Sequence, residues 1–278
     1  MNYYDDRYWQ RAFQAFRKSS NQYKVIQNWL SDNISHLVRY QTDLSILSVG
    51  CGAGEPDVIL MRELTQCGVQ HIRYIGVDIS IKNIEEFRKK FDDFKHEICK
   101  VDLQLYNESA QNFEIDEKFD VLMIHMLYFI KNVSELLFKY TRLLSDNGKC
   151  IAVMTSQPME EIYSITAMRH LHYGDGKHLT LYSEVKRSLK ATGLNYEEEV
   201  KIGWVDIEES FDMENDDGEL VLDFIWDTYH YRQNQPKEVL KILNALLHCH
   251  RIVQMINGRR CYIQYQQFIT IFKPPAIF

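Results

Sequence analysis

Leu44-Ser45-Ile46-Leu47-Ser48-Val49-Gly50-Cys51-Gly52-Ala53-Gly54 decides the fold. A short apolar run that closes into three glycines at alternate positions predicts a buried strand leading into a tight turn, because glycine alone adopts positive φ without steric cost. A helix from about Glu55 to Gln66 follows, and then the cycle repeats. Ile72 to Asp78 reads as a second strand, and Ser80 can cap a helix running to Phe91, with Asn83 at the third position after the cap. His96 to Val101 is the expected third strand and Phe119 to His125 the fourth. Val133 to Ser145 reads as a helix, and Lys149 to Thr155 as a fifth strand introduced by an Asp146-Asn147-Gly148 turn. Repeated β-α units of this length imply an α/β fold with a mostly parallel sheet and helices on both faces.

The flanks read differently. From Tyr8 to Val38, Phe13, Phe16, Tyr23, Ile26, Trp29, Leu30, Ile34 and Leu37 recur at three- and four-residue spacings, so amphipathic helices are expected, broken at Ser19 to Gln22. After Thr155 come helical stretches near Glu160 to Leu171, Ser183 to Thr192, Glu219 to Thr228 and Lys237 to Leu246, with a Gly-Asp-Gly break at Gly174 to Gly176. Tyr196 to Ile207 is strand-like, and Tyr262 to Phe272 is a final strand stopped by Lys273-Pro274-Pro275.

Composition bounds the function. The 278 residues are 45% hydrophobic and 26% charged, as in globular chains, and no apolar run is long enough to span a membrane. The start Met1 to Asp6 is too acidic and polar for a signal peptide to be expected, and a cytoplasmic location is expected. The net charge of −7 argues against binding nucleic acid by bulk phosphate neutralisation, which leaves small molecules as the expected partners. Six scattered cysteines without a C-x-x-C pair read as reduced, mostly buried thiols. His170-x-His172 and His248-x-His250 fall in helix or loop, where i and i+2 side chains diverge, so no metal is expected. Eleven acids between Glu197 and Glu219, against the single base Lys201, read as a solvated acidic face.

The glycine turn gains meaning from its surroundings. Gly50 and Gly52 let backbone approach a ligand, and Asp78, closing the next strand, can accept the hydroxyls of a ribose. Lys100 to Leu103, at the expected end of the third strand, would present a polar group to adenine. A nucleoside-bearing cofactor follows. A dinucleotide is disfavoured, since the third glycine comes one residue early and the loop has no lysine for phosphates. S-adenosylmethionine requires no pyrophosphate cradle.

Gly50-Cys51-Gly52-Ala53-Gly54-Glu55 with Gly76-Val77-Asp78 resembles the class I S-adenosylmethionine-dependent methyltransferases. The segments Ile46 to Asp57, Met123 to Lys131 and Asp217 to Phe224 are similar to the histamine N-methyltransferase family, and the aromatic N-terminal helix extends the likeness over most of the chain. The resemblance implies a Rossmann-like, seven-stranded, mostly parallel sheet with the last strand antiparallel and a substrate-covering helical and β insertion. It implies one methyltransferase domain over residues 1–278, with a cofactor half at 40–158, covering elements at 1–39 and 159–260, and a terminal strand at 261–273. Carried onto this sequence, it assigns Gly50, Gly52 and Glu55 to the methionine end of the cofactor and Asp78 to the ribose. Ile79 and Asn83 fall near the adenosine, Asp102 and Leu103 near the adenine, and Ile124 near the adenine or sulfonium. Trp9, Phe13, Tyr128, Phe129 and Phe211 fall where the family lines its pocket, and an aromatic wall suits a flat heteroaromatic substrate.

Three positions depart from the family pattern. The N-terminal carboxylate becomes Gln22, the glutamine at the end of the fourth strand becomes His125, and the C-terminal asparagine becomes Gln264. Gln22 cannot balance an ammonium, so selection for a cation is weakened by the loss of a charge-assisted bond, about 1 to 2 kcal/mol. His125 could accept a proton from the acceptor atom or orient it. The expected activity is methyl transfer to a nitrogen of a small aromatic or heteroaromatic amine. Methylation at carbon or oxygen of a secondary metabolite, a non-catalytic S-adenosylmethionine-binding regulator and an NAD-dependent dehydrogenase are the rival readings.

Overall fold

The computed structural model describes residues 7–38, 41–156, 160 and 180–273. Two helices open the described chain, α1 (Arg7–Ser19) and α2 (Gln22–Val38), separated at the break the sequence marks. The alternating core follows: β1 (Asp43–Val49), α3 (Glu55–Gln66), β2 (His71–Asp78), α4 (Ile81–Phe94), β3 (Lys100–Asn107), β4 (Phe119–Ile124), α5 (Val133–Thr141) and β5 (Leu144–Thr155). Then come α6 (Tyr182–Thr192), β6 (Tyr196–Asp206), α7 (Asp216–Ile225), α8 (Tyr231–Asn234), α9 (Lys237–Leu247), β7 (Val253–Ile256) and β8 (Arg259–Phe272). The expected helix near Glu160 to Leu171, the Gly174 to Gly176 break and the His170-x-His172 pair lie outside the described residues, Glu160 apart.

The sheet runs β3-β2-β1-β4-β5-β8-β6, with β7 paired to β8 off that path. It is mixed and mostly parallel: β1 pairs in parallel with β2 and β4, β2 with β3, and β4 with β5, while β7 and β8 are antiparallel. The crossover from β3 back to β4, beside β1, leaves a switch point at the paired C-terminal ends of β1 and β4, the place where open α/β sheets bind ligands.

Contacts divide the chain into two compact units. One comprises residues 26–154, 180–200 and 267–278, and the other residues 1–25, 155–179 and 201–266, so the later residues of α2 belong with the sheet rather than with α1. In the first unit, Leu47, Val49, Ile75, Val77, Leu122 and Ile124 pack on one face beneath α5 and α6. On the other, Trp29 of α2 stacks on Phe268 at 4.5 Å, and Phe87 of α4 meets Tyr74 edge-on. The second unit is built around α1 and α7. Phe16, Val221, Ile225 and Trp226 share its core, and Tyr8 donates to the buried Asp223.

Two expectations are corrected. The third strand starts at Lys100 rather than His96, because Lys95–Glu97 forms a single 3-10 turn, and it continues to Asn107. Asp146 to Gly148 does not form a turn ahead of β5. Register jumps from Phe119↔Leu144 to Val121↔Lys149, so these residues form a bulge inside the strand. A Cβ at Gly148 would lie 2.6 Å from the Phe119 carbonyl oxygen, which is why glycine stands there.

The acidic stretch is more paired than a solvated face. Asp206 and Glu209 hold Arg259, Glu208 holds Arg260, and Glu198 holds Lys186. All six cysteines are free: Cys51, Cys150 and Cys261 are buried, Cys99 and Cys249 half-buried, and Cys67 exposed. No helix among the described residues is long and apolar enough to cross a membrane.

Candidate active site

The site grows from the turn after β1. Gly50, Gly52 and Gly54 have φ of 71°, 56° and 79°, the left-handed region where L side chains are strained. Gly50 N and Cys51 N donate to the Val77 carbonyl at 2.8 and 3.1 Å, which ties the turn to the end of β2. A Cβ at Gly50 would strike the Met126 side chain at 2.2 Å, and one at Gly54 the Phe87 ring at 2.4 Å. At Gly52 a Cβ would meet nothing within 4 Å. Two glycines therefore pack the turn against protein, and the middle one opens onto space.

Asp78, the last residue of β2, is fixed on both oxygens. Gly52 N donates to Oδ2 at 2.9 Å, and Ser80 N and Asn83 Nδ2 donate to Oδ1 at 2.8 and 3.2 Å. Ser80 caps α4 by accepting from Asn83 N at 3.3 Å, as expected. Ile79 and Ile81 are exposed beside this carboxylate, and Tyr106, paired with Val77 near the end of β3, is exposed as well. An anchored carboxylate, open backbone at Gly52 and an exposed apolar rim could take the sugar, the amino-acid tail and the base of a nucleoside cofactor. Glu55, at the start of α3, ion-pairs with Lys90, whose ammonium also donates to the Ala53 carbonyl at 2.9 Å.

The expectation for Asp102 and Leu103 is corrected. Asp102 pairs with Arg73 and bonds His71 at 2.8 Å, whereas Asn107 pairs with Asp78. Five residues of strand, about 16 Å, separate Asp102 from the end that faces the glycine turn. Asn107 stands at that end, where its Nδ2 donates to the carbonyls of Asp78 and Ile79 at 3.1 and 2.8 Å.

Ile124 is fully buried at the end of β4, paired with Val49, and His125 N donates to the Val49 carbonyl at 3.3 Å. His125 therefore stands next to the glycine turn. Burial lowers its pKa from the ordinary histidine value, and the Asp57 charge opposes that shift. Tyr128 and Phe129 follow in a 3-10 turn, Tyr128 half-buried and Phe129 exposed, their ring centroids 6.3 Å apart. Thr180 N donates to the Tyr128 carbonyl at 2.7 Å.

The other expected substrate residues lie in the second unit. Trp9 and Phe13 each meet Phe224 with ring centroids at 5.2 Å, so α7 supplies an aromatic centre that the sequence reading did not single out. Phe211 has one face under the Arg260 guanidinium, 3.5 Å from the ring centroid. Gln22 and Gln264 are joined by the fully buried Gln266. Gln22 Nε2 donates to Gln266 Oε1 at 3.2 Å, and Gln266 Nε2 donates to Gln264 Oε1 and Thr155 Oγ1, both at 3.3 Å. Gln264-x-Gln266, two amides at alternate positions and so on one face of the strand, was the signal for this third member.

Glu219, Asp223 and His230 bring three metal-binding atoms within 4.8 Å of one another. Asp223 is nevertheless spoken for: Thr228 Oγ1 and Tyr231 N donate to Oδ1, and Tyr8 and His230 N to Oδ2. Four donors use the lone pairs that a cation would need.

The methyltransferase domain family matches residues 1–199. The chain belongs to that family. It is similar to histamine N-methyltransferase of Danio rerio, 24% identical over 86% of each chain. Its fold resembles that of a putative methyltransferase from Bacillus halodurans, with a TM-score of 0.57 at 13% identity over 88% of this chain and 98% of that one. It also resembles the plantazolicin methyltransferase solved with S-adenosylhomocysteine, with a TM-score of 0.53 at 16% identity over 98% and 93%. The protein is an S-adenosylmethionine-dependent methyltransferase.

Proposed function

We propose that the protein methylates a nitrogen of a small, uncharged heteroaromatic amine. The observation that carries this reading is the amide chain Gln22, Gln266 and Gln264, which offers hydrogen bonds without a carboxylate at the position where the resemblance expects one. An amide can donate to a neutral ring nitrogen, which a carboxylate cannot, and can accept from a ring N–H, but it leaves an ammonium uncompensated.

Gly50, Gly52 and Glu55 would hold the amino-acid end of the cofactor, and Asp78 and Asn83 its ribose. Ile79, Ile81 and Tyr106 would hold the base, and Ile124 would back the sulfonium. The bound cofactor supplies an electrophilic methyl group, so the protein's task is alignment and exclusion of water. Trp9, Phe13 and Phe224 in one unit, and Tyr128 and Phe129 in the other, each offer flat apolar surface suited to an aromatic acceptor. His125 takes the proton that the acceptor nitrogen loses, a role suited to an imidazole that burial keeps neutral.

Labelled S-adenosylmethionine with a panel of neutral imidazoles, indoles, histamine and phenolic acids tests this, with the product identified by mass. Label on a ring nitrogen of a neutral imidazole or indole supports the reading. Label only on a carbon or oxygen, or S-adenosylhomocysteine formed with histamine alone, overturns it.

A further inference from the structure

Beneath the glycine turn lies a knot of polar groups that cofactor binding does not use. Strand alternation puts Ser48 of β1 and Tyr74 of β2 on the face opposite the Leu47, Val49, Ile75 and Val77 core. Asp57, in the first turn of α3, is fully buried against that face. Ser48 Oγ, both Asp57 oxygens, Tyr74 Oη and His125 Nε2 are all sealed from solvent, and none has a partner at hydrogen-bond geometry. Five such atoms in one place are exceptional, since buried polar groups are nearly always satisfied by protein or by ordered water.

The groups sense one another. Burial raises the Asp57 pKa, and the His125 ring, the Ser48 hydroxyl and the Tyr74 phenol oppose the shift by favouring the carboxylate. The Tyr74 phenol and the Cys51 thiol are both pushed up by burial and by the Asp57 charge, with Asp78 adding to Cys51. Asp57 is the charged group that acts on His125. The open end of the helix α3 backbone also favours negative charge in its first turn.

We infer that Asp57 is a positioning residue for His125. Directly or through a buried water, its carboxylate accepts the Nε2 proton and so leaves Nδ1 with the lone pair. By the same direct or water-mediated route Ser48 and Tyr74 donate to that carboxylate, which leaves Nε2 no donor of its own and makes it the donor. The proton step then balances: the acceptor's N–H bond breaks with its electron pair staying on that nitrogen, and an N–H bond forms at Nδ1. The imidazolium so formed keeps its Nε2 proton and is stabilised by Asp57, and the proton leaves later to solvent. This is the carboxylate–imidazole logic of hydrolytic triads, used without a protein nucleophile.

The inference deepens the role given to His125 above, and its test separates the two. Imidazole 15N–1H correlation spectra of the uniformly labelled protein at pH 7.5, with and without S-adenosylhomocysteine, read the tautomer directly. The Nε2–H form is expected, and an Nδ1–H signature overturns the inference whether or not any variant folds. In Asp57→Asn the His125 titration midpoint should fall by about one pH unit, because the opposing charge is gone; an unchanged midpoint and tautomer also overturn it. With a turnover substrate, Asp57→Asn should lower kcat about tenfold or more, with KM and S-adenosylhomocysteine affinity within about threefold. A fall in affinity with kcat unchanged would assign Asp57 to structure instead. An unchanged kcat in His125→Gln would remove the base from the proposed function, while the tautomer measurement still decides the pairing.

Discussion

Three donors reach the two oxygens of Asp78, and each comes from a different feature: the glycine turn, the Ser80 cap of α4 and Asn83, the third residue after that cap. The carboxylate is thereby held in one orientation with one lone pair to spare, so little freedom is lost when it accepts a further hydroxyl. Asp78→Asn replaces an acceptor with a donor, and S-adenosylhomocysteine affinity should fall about 10- to 100-fold, matching the 1.5–3 kcal/mol of hydrogen bonds to a charged group. Titration calorimetry checks it, and an affinity within threefold of the parent would displace Asp78 from the ribose. Gln22 makes the opposite kind of test. Gln22→Glu restores a charge beside Gln266 and should shift the kcat/KM ratio toward ammonium-bearing amines over neutral ones by about tenfold, worth roughly 1.4 kcal/mol. Competition between two labelled products measures that ratio.

Elements with a continuous apolar run were legible in the sequence, and those with mixed faces were not. β1 and β4 are buried on nearly every residue, so their boundaries follow the run of aliphatic letters. β3 alternates between half-buried and exposed residues, and its polar positions led the strand to be ended too early, which carried Asp102 to the wrong end of the sheet. β7 went unseen because it is four residues long with Gln254 and Met255 exposed. Its signal was present in Asn257-Gly258, with φ of 50° and 79°, the dipeptide that closes tight hairpins. Gly258→Val forces a β-branched residue into that conformation and should lower stability by about 1–2 kcal/mol in urea unfolding. Asn257→Gly should be nearly neutral, and equal loss in both would point to some other cause. The relation of Gln266 and Phe224 to their partners needed tertiary contacts, since neither the spacing on β8 nor that on α7 says which helix will lie alongside.

At the scale of the molecule, ion pairs among the described residues join charges on different elements, Arg259 to Asp206 and Glu209 and Arg260 to Glu208 among them. Arg260 holds Glu208 with side-chain and backbone donors, which lowers its carboxyl from 4.5 to about 2. The folded value lies below the unfolded one, so this pair stabilises the fold fully above pH 4.5 and loses its effect as pH falls toward 2. The gap in urea midpoint between the parent and Arg260→Met should therefore stay constant from pH 7 to 5.5 and narrow below 4.5; a gap unchanged at pH 2.5 would refute the assignment. Ligand linkage gives a second global measure. S-adenosylhomocysteine at 100 times its Kd should add about 2.7 kcal/mol and raise Tm by several degrees, while NAD at the same concentration should not. The distribution of sulfur offers a practical handle on both measurements. Cys51 sits within the glycine turn, but burial and two neighbouring carboxylates keep its thiol protonated, whereas Cys67 lies exposed at the far end of α3. A maleimide dye will consequently report from Cys67 first, labelling the protein on a surface remote from the turn and leaving ligand titrations undisturbed by the fluorophore.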